Sequence, residues 1–456
     1  MDNLTLQNRA KMPSLVEHSV ILPMLQSITK PLVGLTSIHN AYGELVLGHV
    51  FNKKILFISA PEYIEQIFSY EARGLVGRGL YEAKKSFFGN GLVNSQSEVW
   101  SKQRRLIQPL FTRDAVKAWE QIIVSEAADT TAQLKAVTDA QTNLTVQIKS
   151  LIQRIFIRIL LGKTAESIPN SAELLKVIDI ISQELLPQLA TEIIFGSRVK
   201  RFIPLKNKRF QTAVNYLKAF INQEVEQKLE QQGDDLISLF IKARDRNTGY
   251  AMSHELLQDE AVNMFFAGQD TTINTLLWFF YLTGKHAHVR NKIAAEIRLL
   301  PNELLTAAHL SQLSYTKATL NETLRLYPPT SALSTQAIED FQLGAYTITK
   351  GTSIMLSMYA THYNTRLWER PNEFNPDRFA DTAHPERHKY SFFPFGGGLH
   401  NCVGRHFAEM EMLLIIATLC REITFETEVN VKEAIGVTLK PDRPLIGRVS
   451  FHSQLE

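Results

Sequence analysis

Cysteine is nearly missing from this chain: Cys402 and Cys420 are the only two in 456 residues. Such a set builds no disulfide framework, and a chain this long buries enough surface to need none. Usage this sparse fits a reducing compartment. A surplus of one charge is also lacking. The 49 basic and 46 acidic residues leave a net charge of +3. No long Lys/Arg run or basic–aromatic stripe occurs, so nothing points to nucleic acid. Long apolar runs are absent near the start, where Asp2, Arg9, Lys11, Glu17 and Lys30 scatter charge. The longest early uncharged run, Ser19 to Thr29, is too short to span a bilayer and contains Pro23. It also lacks the basic start, apolar block and cleavage site of a secretory signal. A cytoplasmic protein without a transmembrane segment is expected. Internal repeats, low-complexity tracts, a nucleotide-binding glycine motif and an iron–sulfur cysteine cluster are missing as well.

What is present is an ordinary globular composition, 45% hydrophobic and 21% charged. From Tyr42 to Ile58 apolar residues partly alternate, which predicts a short hairpin. From Ser95 to about Phe240 the pattern is helical, with breaks near Gly162, Pro169, Gly196 and Pro204. A long helix is predicted from Ser253 to His286. Ser253 suits the N-cap, and Glu255, Asp259 and Glu260 suit the positive end of the helix dipole. Its middle, Phe265 to Phe280, is almost wholly apolar or small, yet it contains Gly268, Asp270, Thr271 and Thr272. None of these favours a helix interior, so a local rule is broken in the best-buried segment. A further helix covers Leu313 to Leu326 and stops at Pro328-Pro329. Strands are predicted at Tyr346 to Ile348 and Ser353 to Met358, with Lys350-Gly351 as the turn between them. Residues His362 to Phe395 form a long aperiodic stretch whose aromatic content points to an ordered one.

The segment Phe395-Gly-Gly-Gly-Leu-His400-Asn-Cys402-Val-Gly404 precedes an apolar helix from Arg405 to Leu419. Taken alone, Cys402 reads as a structural cysteine in a glycine-rich turn. Cys420, in a nearly apolar run, reads as a small hydrophobe. A metal-binding thiolate needs N–H groups aimed at sulfur, shielding from bulk water, and positive potential. The glycines permit a tight turn, and the following helix brings its N-terminal dipole near Cys402.

Phe395, Gly398, His400, Cys402 and Gly404 resemble the cysteine-loop signature of the cytochrome P450 superfamily. Ala267-Gly-Gln-Asp270-Thr271-Thr272 is similar to that family's oxygen-binding motif, Glu322-x-x-Arg325 with Arg378 to its structural triad, and Trp100-x-x-x-Arg104 to its propionate-binding helix. The resemblance covers residues 42–447 and is closest to the soluble bacterial type. It implies a mainly α fold, a triangular helical prism with a small β-rich region, as a single haem-binding domain over residues 1–456. It implies haem b, with Cys402 as the iron ligand. Trp100, Arg104, Ala267, Phe395, His400 and Gly404 are the implied cofactor contacts. Thr271 and Asp270 are the implied catalytic pair, the threonine bonding bound dioxygen and the aspartate relaying protons. Small Ala267 and Gly268 would let dioxygen approach.

The implied reaction places one atom of O₂ in a small, apolar organic substrate, with electrons ultimately from NAD(P)H. They would arrive through a separate ferredoxin or flavodoxin and its reductase, and Lys102, Arg105 and Arg113 are candidate docking cations. Substrate contacts are expected from 76–93, 267–271, 330–333 and 441–445. A peroxide-driven relative, a haem sensor, and an oxidase that closes rings or desaturates are the competing readings. The acid–alcohol pair disfavours the first, and no attached signalling module supports the second. The third uses the same machinery. One departure stands out: where many members carry Arg or His for a propionate, this chain has Thr335.

Overall fold

Alternating apolar residues in β2 (Leu45–Val50) and β3 (Lys53–Ile58) pair antiparallel, Leu45 opposite Ile58 through Val50 opposite Lys53, as the hairpin pattern predicts. The computed structural model describes residues 15–23, 26, 30–50, 53–79, 81–136, 141–199, 208–231, 233–380 and 386–451. The helix break expected at Pro204 lies outside the described residues. The chain divides into two compact units, one formed by residues 1–80, 330–373 and 386–401 and the other by the rest.

In the first unit the hairpin extends into a six-stranded sheet. With β1 (Glu17–Ser19), β4 (Val76–Arg78), β5 (Leu333–Ala337) and β8 (Ser353–Leu356), its order is β1-β2-β3-β8-β5-β4. A separate pair joins β6 (Phe341–Leu343) to β7 (Tyr346–Ile348). Both predicted strands and the turn between them are present: β7 turns back on β6, while β8 lies parallel to β3 and antiparallel to β5, so the Lys350-Gly351 turn joins two different sheets. Strand β8 also ends at Leu356, and a short helix follows at Met358–His362. Helix α1 (Pro31–Tyr42) precedes the hairpin. Helix α2 (Pro61–Ala72) starts with proline at its first position, where no N–H is required. It buries Ile64, Ile67 and Phe68 against Leu56, Ile58, Val76, Ala337 and Phe393.

The second unit is mostly helical. Helix α3 (Ser97–Ile107) carries Trp100 and Arg104. Helix α4 (Leu144–Leu161) begins at Asn143, whose side chain accepts from the Val146 N–H, and ends at left-handed Gly162. The next helix, Ser171–Val199, runs through Gly196, so the break expected there does not occur. Glycine costs a helix about 1 kcal/mol, which neighbouring residues in a 29-residue helix can outweigh. Helix α5 (His254–Lys285) is the predicted long helix, capped by Ser253 through the Leu256 N–H at 3.2 Å. Helix α6 (Ser314–Leu326) is also as expected, and α7 (Arg405–Glu422) follows the cysteine. A three-stranded sheet of Gln141–Asn143, Ile423–Glu426 and Ile446–Phe451 completes this unit, and its first strand carries no legible sequence signal.

Glu322 and Arg325 of α6 are both fully buried. Arg325 grips the carboxylate through two bonds, 2.7 Å from Nε and 2.8 Å from Nη2. The Asn375 N–H donates to the same carboxylate at 3.0 Å, and the Arg378 Nε lies 3.4 Å away. The triad thus fixes residues 375–379 on α6. Because removing one partner strands a buried charge, Glu322→Ala is expected to cost about 3–5 kcal/mol. Chemical denaturation followed by tryptophan fluorescence would register this as a lowered midpoint, with Glu322→Gln less damaging.

Candidate functional site

The glycine run before Cys402 is required by geometry. Gly396 and Gly398 have φ of 71° and 63°, the left-handed region that favours glycine. Between them, a Cβ on Gly397 would stand 2.5 Å from the Tyr390 ring and 2.6 Å from Phe68. The turn is therefore pressed onto α2, and Leu333 of β5 comes 3.5 Å from where a Gly396 Cβ would stand. His400 Nδ1 lies 2.5 Å from Glu71 at the end of α2, with both side chains largely buried. Phe395 is half-buried.

Cys402 belongs to the other unit. Its residue surface is accessible, yet the sulfur sits deep enough among protein atoms that burial raises the thiol pKa. Both are true of an atom at the base of a recess. The Gly404 N–H and the charges of Arg104 and Arg405 act the other way, favouring thiolate. Gly404 is the N-cap of α7, so the sulfur lies at a helix N-terminus. Arg104, half-buried one turn beyond buried Trp100, has its pKa lowered by desolvation and supported by Cys402. Cys420 is a different case, its thiol pushed up to about 12 by burial, as expected of a structural cysteine.

At the centre of α5 one stripe is open. Ala267 is exposed and Thr271 partly so, although Phe265, Phe266, Gln269 and Thr272 around them are buried. One turn further in each direction, Asn263 and Thr275 are closed. Residues four apart share a face, so Ala267 and Thr271 form an accessible patch about two turns long. Gly268 serves another purpose than the expected one. A Cβ there would stand 2.0 Å from the Phe156 ring of α4, so its smallness admits Phe156 rather than a ligand. Phe156 in turn meets Phe407 of α7 edge-on at 5.9 Å. The next tie is buried: Thr272 donates to Glu411 of α7 at 3.2 Å.

Thr271 donates its hydroxyl proton to the Ala267 carbonyl at 3.0 Å, which leaves its oxygen as an acceptor. Asp270 does not share that bond. Its carboxylate accepts from Thr438 at 2.6 Å and borders a cavity of about 370 Å³ that also reaches Lys149, Asp179 and Lys440. Burial raises its pKa, with Thr438 and Lys440 opposing. The docking cations fare unevenly: Lys102 pairs with Glu98 at 2.8 Å and Arg105 with Asp245 at 2.7 Å, while Arg113 is exposed.

The family model described as Cytochrome P450 matches residues 12–445. The chain belongs to the cytochrome P450 family. A cytokinin hydroxylase of Arabidopsis thaliana is 30% identical over 79% of this chain and 71% of its own. The cyclooctat-9-en-7-ol 5-monooxygenase of Streptomyces melanosporofaciens is 28% identical over 86% and 84%. The solved cytochrome P450DA heme domain matches at a TM-score of 0.84 and 20% identity, over 97% of this chain and 98% of its own, which shows the fold. This P450 is accordingly a haem-thiolate monooxygenase acting on an organic substrate, using O₂ and NAD(P)H-derived electrons delivered by redox partners. A cysteine at a helix N-terminus and an accessible small-residue patch on α5 are residue types that suit a flat metal cofactor. Among the described residues no helix is long and apolar enough to cross a membrane.

Sequence reasoning missed a staple at the start of α5. Asp259 accepts from the Asn90 N–H at 2.8 Å, Glu260 from Leu92 at 2.9 Å, and Asn263 from Val93 at 3.1 Å. Asn263 also donates to the Phe88 carbonyl at 2.8 Å. These bonds hold part of the expected substrate-facing segment on the helix that carries Ala267. Glu260 and Asp259 read in sequence as dipole partners; the only hint of more was Glu260 falling on the apolar face.

Fully buried Glu260 and Glu411 are each pushed up to about 8 by desolvation. A carboxyl whose folded pKa is raised binds its proton more tightly in the native state. Stability from both groups is therefore fully present below the unfolded value of 4.5 and is lost as pH rises through about 8. Thermal midpoints of the holoenzyme should fall across that window, and Glu411→Gln should flatten the slope. A slope unchanged in the variant would contradict the assignment.

Proposed function

We propose that Cys402 Sγ ligates haem iron and that residues 1–456 work as one haem-binding domain. The Gly404 N–H and the α7 dipole favour the ionised form of the sulfur, and Phe395 shields it. Trp100, Arg104 and His400 hold the propionates, since arginine remains charged and matches a carboxylate with paired donors. Bound haem supplies the activation of dioxygen and the transfer of one oxygen atom to substrate.

The residues of α5 manage space and protons. Ala267 keeps the patch open. Thr271 Oγ1, its own proton committed to the Ala267 carbonyl, accepts a hydrogen bond from a protonated group on that face. Asp270, its pKa raised by burial and its side chain facing the cavity beside Lys149 and Lys440, takes protons from solvent. Because Asp270 and Thr271 are bonded separately, water has to connect them.

The substrate is a small apolar molecule. Phe87, Phe88 and Phe266, mutually packed with centroids 4.7–6.3 Å apart beside the stapled segment, support that reading. Electrons arrive from a ferredoxin or flavodoxin and its reductase in the cytoplasm. Arg113 is the best placed of the three candidate docking cations, because Lys102 and Arg105 are already paired.

The open Ala267–Thr271 stripe on an otherwise buried helix carries this reading. Thr271→Ala removes the acceptor while leaving haem in place. Product formed per NAD(P)H consumed should fall by about tenfold or more, with hydrogen peroxide making up the difference. Unchanged coupling would contradict the role given to Thr271.

A further inference from the structure

Asp270 is held by a bond that the role given to it above does not explain. Its Oδ2 accepts from the Thr438 hydroxyl at 2.6 Å, and Thr438 in turn accepts from Asn274 Nδ2 at 2.8 Å. The same Asn274 amide nitrogen donates to the Asp270 backbone carbonyl at 2.9 Å. All three residues belong to the helical unit. Asn274 and Thr438 are only 5% and 4% exposed, so their polar atoms depend on one another rather than on bulk solvent.

The chain of bonds has a direction. A threonine hydroxyl has one proton to give, and with Asn274 donating to its oxygen that proton goes to Asp270 Oδ2. Oδ2 is therefore fixed as an acceptor, and Oδ1 is the oxygen left to gain and release a proton. Asp270 borders the cavity of about 370 Å³. The charged groups around that cavity are Lys149 and Asp179, paired across α4 and the helix Ser171–Val199, with Lys440, Asp442 and Arg443 from the chain after Thr438.

A purely structural staple does not account for the arrangement. Thr438 lies in the turn of a two-stranded hairpin, Glu433–Ile435 against Leu439–Pro441, which would be marginal on its own. Its backbone is nevertheless docked without the Thr438 side chain. Trp278 Nε1 donates to the Leu439 carbonyl at 3.3 Å, and the Leu439 N–H to the Pro329 carbonyl at 2.9 Å. Asp270, Asn274 and Trp278 recur every four residues, so one stripe of α5 meets this strand. The Asp270 carboxyl, by contrast, has no other hydrogen-bond donor among the described residues.

We propose that Thr438 is a positioning residue for proton delivery: its hydroxyl, oriented by Asn274, fixes the Asp270 carboxyl so that one oxygen alone exchanges protons with the cavity. The inference rests on the proton role given to Asp270 above.

The experiment compares holoenzymes of wild type, Thr438→Val, Thr438→Ser, Asp270→Asn, and Thr438→Val combined with Asp270→Asn. One readout is infrared titration of the Asp270 carboxyl, identified as the band that Asp270→Asn removes. The other is hydrogen peroxide released per NAD(P)H consumed, with ethoxycoumarin as the apolar probe. The Thr438 bond favours the charged carboxylate, so Thr438→Val should move the titration to higher pH. It should also raise peroxide release about threefold, the effect of losing one hydrogen bond. Thr438→Ser should restore both. The double variant should release no more peroxide than Asp270→Asn alone, because Thr438 acts through that carboxyl. If Thr438→Val does not fold, Thr438→Ala carries the same predictions. An unmoved titration, unchanged peroxide release in the Thr438 variant, or additive losses in the double variant would each overturn the proposal. Peroxide release in Asp270→Asn no greater than in wild type would instead remove the proton role of Asp270 itself, and the proposal with it.

Discussion

The proposed role of Cys402 sets the central constraint, because a thiolate has to keep its charge among protein atoms that disfavour it. Burial raises the pKa of Cys402, and three groups act against it: the Gly404 N–H, Arg104 and Arg405. Each depends on something larger. The N–H points correctly because α7 begins there, and Arg104 is delivered by α3. The turn that aims the chain at Cys402 exists because Gly396 and Gly398 adopt left-handed backbone and Gly397 leaves room for Phe68 and Tyr390.

The second constraint is on α5, which has to be a continuous core helix and yet present an accessible face. Its solution is local. Ala267 opens the stripe, Gly268 lets Phe156 in behind it, and Phe156 packs on Phe407 close after the cysteine. Thr272 is tied to Glu411 of the same α7. The helix carrying Ala267 and Thr271 and the helix following Cys402 are therefore tied by a buried polar bond and, through Phe156 of α4, by an aromatic contact. Two fully buried acids, Glu260 and Glu411, are retained at a cost in stability at high pH. Buried polar ties of this kind fix a geometry more than they strengthen a fold.

What the sequence disclosed was local. The Ser253 cap of α5, the span of α6, the β2–β3 hairpin and the glycine turn before Cys402 are short-range patterns, and the structure has them within a residue or two. What it hid was long-range. One partner of β8 is β3, some 300 residues earlier in the chain and parallel to it, which no local pattern could indicate. Gly268 looked like an opening because Phe156, which fills the space, is over 100 residues away. At Gly196 a propensity rule gave way to a helix that continues.

The claim that everything else serves is the bond between Cys402 Sγ and haem iron. The most direct measurement is the absorption spectrum of the reduced, CO-bound protein, wild type against Cys402→Ser. Wild type should show the red-shifted Soret band of a thiolate ligand, and the variant should lose it while still binding haem. A band retained without Cys402, or absent from haem-loaded wild type, would contradict the account.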